Sequence, residues 1–186
     1  MNDSIKLVSS ITVICLVSAF LVSLAHEVTL KPIADAEAAK KTSAILAVLP
    51  EGAENPQELS VTVTWPDNSS TTNIYWSTNK GYAMEITAPN GYSGDIKLML
   101  GFSKEGNFWS YKVLAHSETP GLGGNITGSF LGNVKNRPAS GTNWKVVKDG
   151  GDILPITAAT ISSRAVCGAI ERGVKVFETI QTTEAM

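Results

Sequence analysis

The side chains able to do chemistry fall in two short stretches. Thr157-Ala158-Ala159-Thr160-Ile161-Ser162-Ser163-Arg164 sets four hydroxyls in seven residues, just after Pro155 and just before an apolar-periodic segment. A hydroxyl-rich stretch at the mouth of a helix has two uses. Its side chains can cap the free N–H groups of the first turn. Alternatively, those N–H groups and the positive end of the helix dipole can hold an anion such as a phosphate. The second stretch is His116-Ser117-Glu118-Thr119-Pro120-Gly121-Leu122-Gly123-Gly124. A dense Pro/Gly run after a strand is a shaped loop whose backbone can approach a ligand closely. Here it would carry Glu118 and Thr119 with it, unless Thr119-Pro120-Gly121 is a plain turn and Glu118 a solvated charge.

The remaining inventory excludes more than it offers. There are two cysteines, Cys15 and Cys167, and two histidines, His26 and His116, with no CxxC, CxxCH or Cys/His cluster. That argues against haem attachment, iron–sulfur ligation, structural zinc and a disulfide framework. No acid/base dyad, nucleophile triad or phosphate-loop motif is present, so independent catalysis is not expected. Lys and Arg total 15 against 17 Asp and Glu, a net charge of −2. No basic face is visible, and nucleic acid is not an expected partner.

The elements that must position those stretches follow from periodicity. Residues 7–25 carry no charge and would span about 28 Å as a helix, close to the ~30 Å hydrocarbon core of a bilayer. They are expected to form one uncleaved transmembrane anchor after a tail at 1–6, with membrane lipid as a partner. A cleaved signal peptide is the competing reading. Residues 33–49 have helical composition and stop at Pro50, while Pro32 argues for a break or a helix start there. Residues 26–56 are therefore expected to be a helical stalk and linker. Alternation predicts strands at 59–65, 72–76, 82–88, 95–102, 108–115 and 144–148, with turn clusters between them. Ile161, Val166, Ile170, Val174 and Phe177 form the apolar stripe of a closing helix over 161–180. Trp109, Tyr111 and Trp144 are expected in the core, and His116 as a hydrogen-bonding loop residue. The fold class is α+β: an antiparallel sheet with packed helices over 57–186, preceded by one transmembrane helix.

Both stretches also carry a resemblance. His116–Gly123 is similar to the Glu-Thr-Pro-Gly-Leu-Gly segment of FMN-binding domains in membrane redox complexes. Thr157-Ala158-Ala159-Thr160-Ile161-Ser162-Ser163 resembles their S/T-G-A-T-x-T/S-S segment. Gly91-Tyr92-Ser93-Gly94-Asp95-Ile96 resembles the stretch that enters their first hairpin strand. Together with the single anchor, the resemblance covers most of the chain and is nearest to the G subunits of Rnf-type complexes. Those complexes move electrons between ferredoxin and NAD and couple this to ion translocation. The C subunit of the sodium-pumping NADH:quinone reductase is a near relative.

The resemblance implies an electron-relaying subunit, not an enzyme on its own. It implies covalent FMN, joined through its phosphate to Thr160 by a separate flavin transferase. Thr157, Ala159, Ser162, Glu118, Thr119, Leu122 and Gly123 are expected to bind the cofactor, and no metal is implied. It further implies other membrane subunits as partners, and a soluble domain on the outer, periplasmic side of a bacterial inner membrane. Two positions depart from the pattern. Ala158 stands where the family has Gly, which Ala can replace only at negative φ or where a methyl is tolerated. Leu154 stands where the family has Asp, with Asp152 two residues earlier. The alternatives are the sodium-pumping reductase or an accessory flavin module of another respiratory system. A non-redox periplasmic adaptor is the alternative of a different class.

Overall fold

The computed structural model describes residues 2–184. Two compact units follow each other along the chain, 1–41 and 42–186. Helix α1 (Asn2–Ala47) runs through Pro32 without a break. The break or helix start expected at that proline is absent; the helix forgoes the one hydrogen bond that proline cannot donate. Within α1, Val8, Ile14, Phe20 and Val22 are each more than half exposed. An 18-residue window there reaches a mean hydropathy of 2.3, enough by length and composition for one membrane crossing.

The second unit is built on a six-stranded meander. β1 (Gln57–Thr64), β2 (Ser70–Ser77), β3 (Gly81–Ala88), β4 (Ile96–Ser103), β5 (Asn107–Ala115) and β6 (Arg137–Pro138) lie side by side in chain order. Every pairing is antiparallel. Five expected strands are present to within about two residues. The turns between them have local causes. Asp67 accepts the Ser69 N–H at 3.0 Å, and Thr78 Oγ1 accepts the Gly81 N–H at 3.1 Å. The sixth expected strand, at 144–148, is a correction. Val146 makes a single parallel bridge to Ile153, and Val147–Asp149 wind into a 3-10 turn. The alternation there has another origin. Trp144 and Val146 are buried anchors of an irregular loop, and the Trp144 indole donates to the Ala139 carbonyl at 3.0 Å. The sheet's last strand is instead the two-residue Arg137–Pro138, paired to Asn107 and Phe108.

β4 shows how the sheet is covered. Leu98, Leu100 and Phe102 share one face, Met99 and Gly101 the other, and all are buried. A strand covered on both faces is apolar throughout, not alternating. Helix α3 (Thr160–Glu184) covers the first face. Phe177 stacks on Phe102 with ring centroids 4.8 Å apart, and Phe108 meets Phe102 edge-on at 5.4 Å. Gly173 lets the helix come close, since a Cβ there would lie 2.5 Å from Leu100 Cδ1. On the second face, Trp76, Ala83 and Met99 pack with Ala44, Ile45, Val48 and Leu49 from the end of α1 and the turn after it. Gly101 makes room for that segment: its Cβ would fall 1.9 Å from the Val48 carbonyl oxygen. The short helix between β5 and β6, α2 (Leu131–Val134), adds the buried Val134 to the core. The fold is the expected α+β sheet with packed helices.

Cys167 lies in the α3 core, 2% exposed. Burial first, and then the charges of Glu171 and Asp149, push its thiol from 9.0 up to about 12. Between those values only the unfolded chain releases the thiol proton. The native state keeps this contribution in full below pH 9 and loses it as pH climbs through the window. Burial also raises the Tyr111 hydroxyl, so some alkaline loss does not involve the thiol. Urea titrations from pH 8 to 11 should therefore show stability falling with pH in the wild-type chain, and falling less steeply in Cys167→Ala.

Candidate functional site

The site is assembled around a buried carboxylate. Glu118 follows β5, is 4% exposed, and uses both oxygens. Oε2 accepts the Ser162 hydroxyl at 2.5 Å, and Oε1 accepts the Ser93 N–H at 3.0 Å. The Glu118 N–H is held in turn by His116 Nδ1 at 3.0 Å, the loop role expected of that histidine. Two glycines leave space for the carboxylate. A Cβ on Gly91 would lie 2.7 Å from Oε1, and one on Gly123 would lie 2.3 Å from Oε2. A buried charge is tolerated only when hydrogen bonds replace its water, and Glu118 meets that condition.

The hydroxyls of the second stretch divide their work. Ser162 serves Glu118. Ser163 accepts the Ile156 N–H at 2.9 Å and donates to the Ala159 carbonyl at 2.9 Å, which pins the loop that enters α3. Thr160, the first residue of α3, accepts a hydrogen bond from Lys148 Nζ at 3.3 Å. None of these contacts caps an N–H of the helix's own first turn, so simple capping does not describe the stretch. Lys148 is carried by the 3-10 turn Val147–Asp149. That turn is fastened to α3 by the paired bonds from Arg164 to Asp149, both 2.7 Å. The guanidinium holds the Asp149 carboxyl below its ordinary value.

These elements enclose a cavity of about 430 Å³ lined by Tyr92, Glu118, Thr119, Leu122, Gly123, Lys148, Ala158, Ala159, Thr160, Ile161 and Ser162. Seven of the eight residues singled out from sequence therefore meet in one place. Thr157 is the exception; it is exposed and lies outside the lining. Trp109, Tyr111 and Trp144 are also absent from it, and Tyr111 and Trp144 are buried in the core. Tyr92, Lys148, Ala158 and Ile161 complete the wall; none of them is singled out as a binder from sequence, although Tyr92, Ala158 and Ile161 sit within the stretches that carry the resemblance. Ile161, next to Thr160, and Ala158, two residues before it, could be found from the same motif. Lys148 could not, because its place depends on how the turn folds back on the helix.

Both departures from the motif have structural consequences. Ala158 has φ 60, in the left-handed region. The condition of negative φ is not met, and the chain carries a methyl where glycine would be unstrained. Leu154 is largely exposed, and its carbonyl accepts Asn133 Nδ2 at 2.8 Å. Asp152 does not substitute for the missing aspartate at the cavity. Its carboxylate accepts the Asn143 N–H at 2.8 Å, outside the lining.

Comparison with known proteins points to the same part of the chain. Residues 91–175 match the FMN-binding domain family, a span that contains the entire cavity lining. The chain is 43% identical over 105 residues to the G subunit of the ion-translocating oxidoreductase complex of Erwinia tasmaniensis, covering 53% of this chain and 50% of that relative. Against the protein of the same name from Aliivibrio fischeri, identity is 41% over 110 residues, or 55% and 52% of the two chains. Against the one from Vibrio cholerae serotype O1, identity is 32% over 179 residues, or 89% and 86%. The chain thus spans about half the length of the first two relatives and most of the third.

The residues present fit an FMN. Ligand cavities typically measure ~300–1,000 Å³ with mostly apolar walls and a few placed polar groups. Leu122, Ala159, Ile161 and Tyr92 offer apolar wall, while the Thr160 hydroxyl, the Lys148 ammonium and the first turn of α3 offer donors for a phosphate.

Two substitutions probe this architecture by chemical denaturation. Ala158→Gly should stabilise the fold by about 0.5–1 kcal/mol, the relief of left-handed strain less glycine's extra chain entropy. Glu118→Ala should destabilise it by about 1–3 kcal/mol, because the buried Ser162 hydroxyl loses its acceptor. Glu118→Gln should cost less, since an amide can accept from Ser93 and donate to Ser162.

Proposed function

The chain belongs to the family of G subunits of the ion-translocating oxidoreductase complex, and on that premise we propose that it is a membrane-anchored flavoprotein with FMN joined through its phosphate to Thr160. The observation that carries this reading is the convergence of the Glu118–Gly123 loop and the start of α3 on one cavity with the Thr160 hydroxyl in its wall. FMN bound there would supply the redox chemistry, while the protein sets its position and surroundings.

The chain's own residues have separable tasks. Thr160 is the attachment point, and the adjoining first turn of α3 offers N–H groups and a positive dipole end to the phosphate. Glu118 holds the cavity walls together through Ser162 and Ser93. Thr119, Leu122, Gly123, Ala159 and Ser162 contact the cofactor, whereas Thr157 shapes the approach to the helix. No base lies beside Thr160 among its hydrogen-bond partners, and its neighbour is the Lys148 ammonium. An isolated alcohol is a weak nucleophile, so a separate flavin transferase performs the attachment. A covalent tether also removes the cofactor from mass action: a dissociable flavin is retained only while free flavin exceeds its dissociation constant.

In this reading residues 7–25 cross the bacterial inner membrane once and contact lipid. Residues 26–56 form the stalk and linker, and 57–186 form the flavin domain on the outer side. The domain relays electrons to and from other membrane subunits of a ferredoxin/NAD ion-translocating complex. Co-expression with a flavin transferase, followed by denaturing electrophoresis, tests the core of the proposal. The wild-type band should fluoresce as flavin and Thr160→Ala should be dark. Equal fluorescence from the variant would remove Thr160 as the attachment point.

A further inference from the structure

We propose that Lys148 is the counter-charge of the flavin phosphate, the residue by which this site selects a phosphorylated flavin over an unphosphorylated one. This inference rests on the flavin reading above and assigns a role to a residue outside either motif. Three observations carry it. The first is position. Lys148 Nζ lies 3.3 Å from Thr160 Oγ1, the atom to which the phosphate would be joined. Lys148 also lines the cavity, so the charge is presented to the space a ligand would occupy.

The second observation concerns the neighbouring charges. Asp149, next in sequence, would be the obvious partner for the lysine. Both of its carboxylate oxygens are instead taken by Arg164. Arg164 is thereby neutralised, and the hydrogen-bond partner of Lys148 is the Thr160 hydroxyl, not a carboxylate. The other acid in the cavity wall, Glu118, has both oxygens engaged by Ser162 and Ser93.

The third observation is that the backbone beneath the lysine is fixed. Arg164 ties the Val147–Asp149 turn to α3 one helical turn beyond Thr160. Val147 N–H donates to the Ile153 carbonyl at 2.9 Å, and Gly150 closes the turn at φ 81. A Cβ on Gly151 would lie 2.0 Å from the Lys145 carbonyl oxygen, so the chain passes itself closely there. A rigid turn thus carries a flexible arm ending in a compact point charge, and that suits a phosphate without demanding bidentate geometry.

The test uses the full-length chain in detergent, produced without a flavin transferase, titrated with FMN and with riboflavin by fluorescence quenching. The wild-type chain should bind FMN more tightly than riboflavin. Lys148→Met should weaken FMN binding by roughly threefold to tenfold, the scale of one solvent-accessible charge-assisted contact, and leave riboflavin binding unchanged. Lys148→Arg should keep most of the preference for FMN. An unchanged FMN-to-riboflavin ratio in Lys148→Met would overturn the assignment. So would an equal loss of both ligands, which would make the lysine structural. A wild-type chain that bound both flavins equally, or bound neither, would also overturn the assignment of Lys148, while the flavin reading itself is decided separately by the in-gel fluorescence of the transferase-matured chain.

Discussion

Everything at the site depends on the burial of one carboxylate. Glu118 sits 25 residues from Ser93 and 44 from Ser162 along the chain, yet bonds to both. Those bonds join the turn before β4, the loop after β5 and the first turn of α3. Removing a carboxylate from water is unfavourable by several kcal/mol unless donors replace the solvent. The donors are supplied by the very segments that must be brought together, so closing the cavity and satisfying the charge are one event. Gly91 and Gly123 belong to the same device, since neither position has room for a Cβ beside the carboxylate.

The start of α3 answers to a second electrostatic arrangement. Arg164 draws the Val147–Asp149 turn against the helix by binding Asp149. As an exposed pair it contributes little to global stability. Its consequence is local: it decides which charge is neutralised and which is left facing Thr160. The cavity therefore has two electrostatic ends, a carboxylate saturated by hydrogen bonds and an ammonium bonded to a hydroxyl. Away from the cavity, β4 is buried on both faces, and the stacking of Phe102 on Phe177 fastens α3 to the sheet.

Much of this is legible in the chain itself, for identifiable reasons. Strands β1 to β5 and helix α3 are long enough for their period to show through local noise. β6 has only two residues, too few for any period, while Trp144 and Val146 mimic a strand because both anchor a loop. Pro32 has the identity of a breaker, but the helix absorbs it. Seven cavity residues are visible because they sit in two contiguous motifs. Thr157 enters the set as the first position of the motif, and in the structure it is exposed and lies outside the cavity lining. The φ of Ala158 cannot be read from its identity, because alanine ordinarily avoids that region. Lys148 belongs to no motif and gains its position only through a tertiary contact.

The account stands or falls on where the cofactor is joined to the chain. Tandem mass spectrometry of peptides from the full-length chain, matured with a flavin transferase, locates the modification directly. A flavin phosphate on Thr160, with Thr157, Ser162 and Ser163 unmodified, is the predicted result. A flavin on any of those neighbours, or none on a chain matured beside a flavinylated relative, would contradict it.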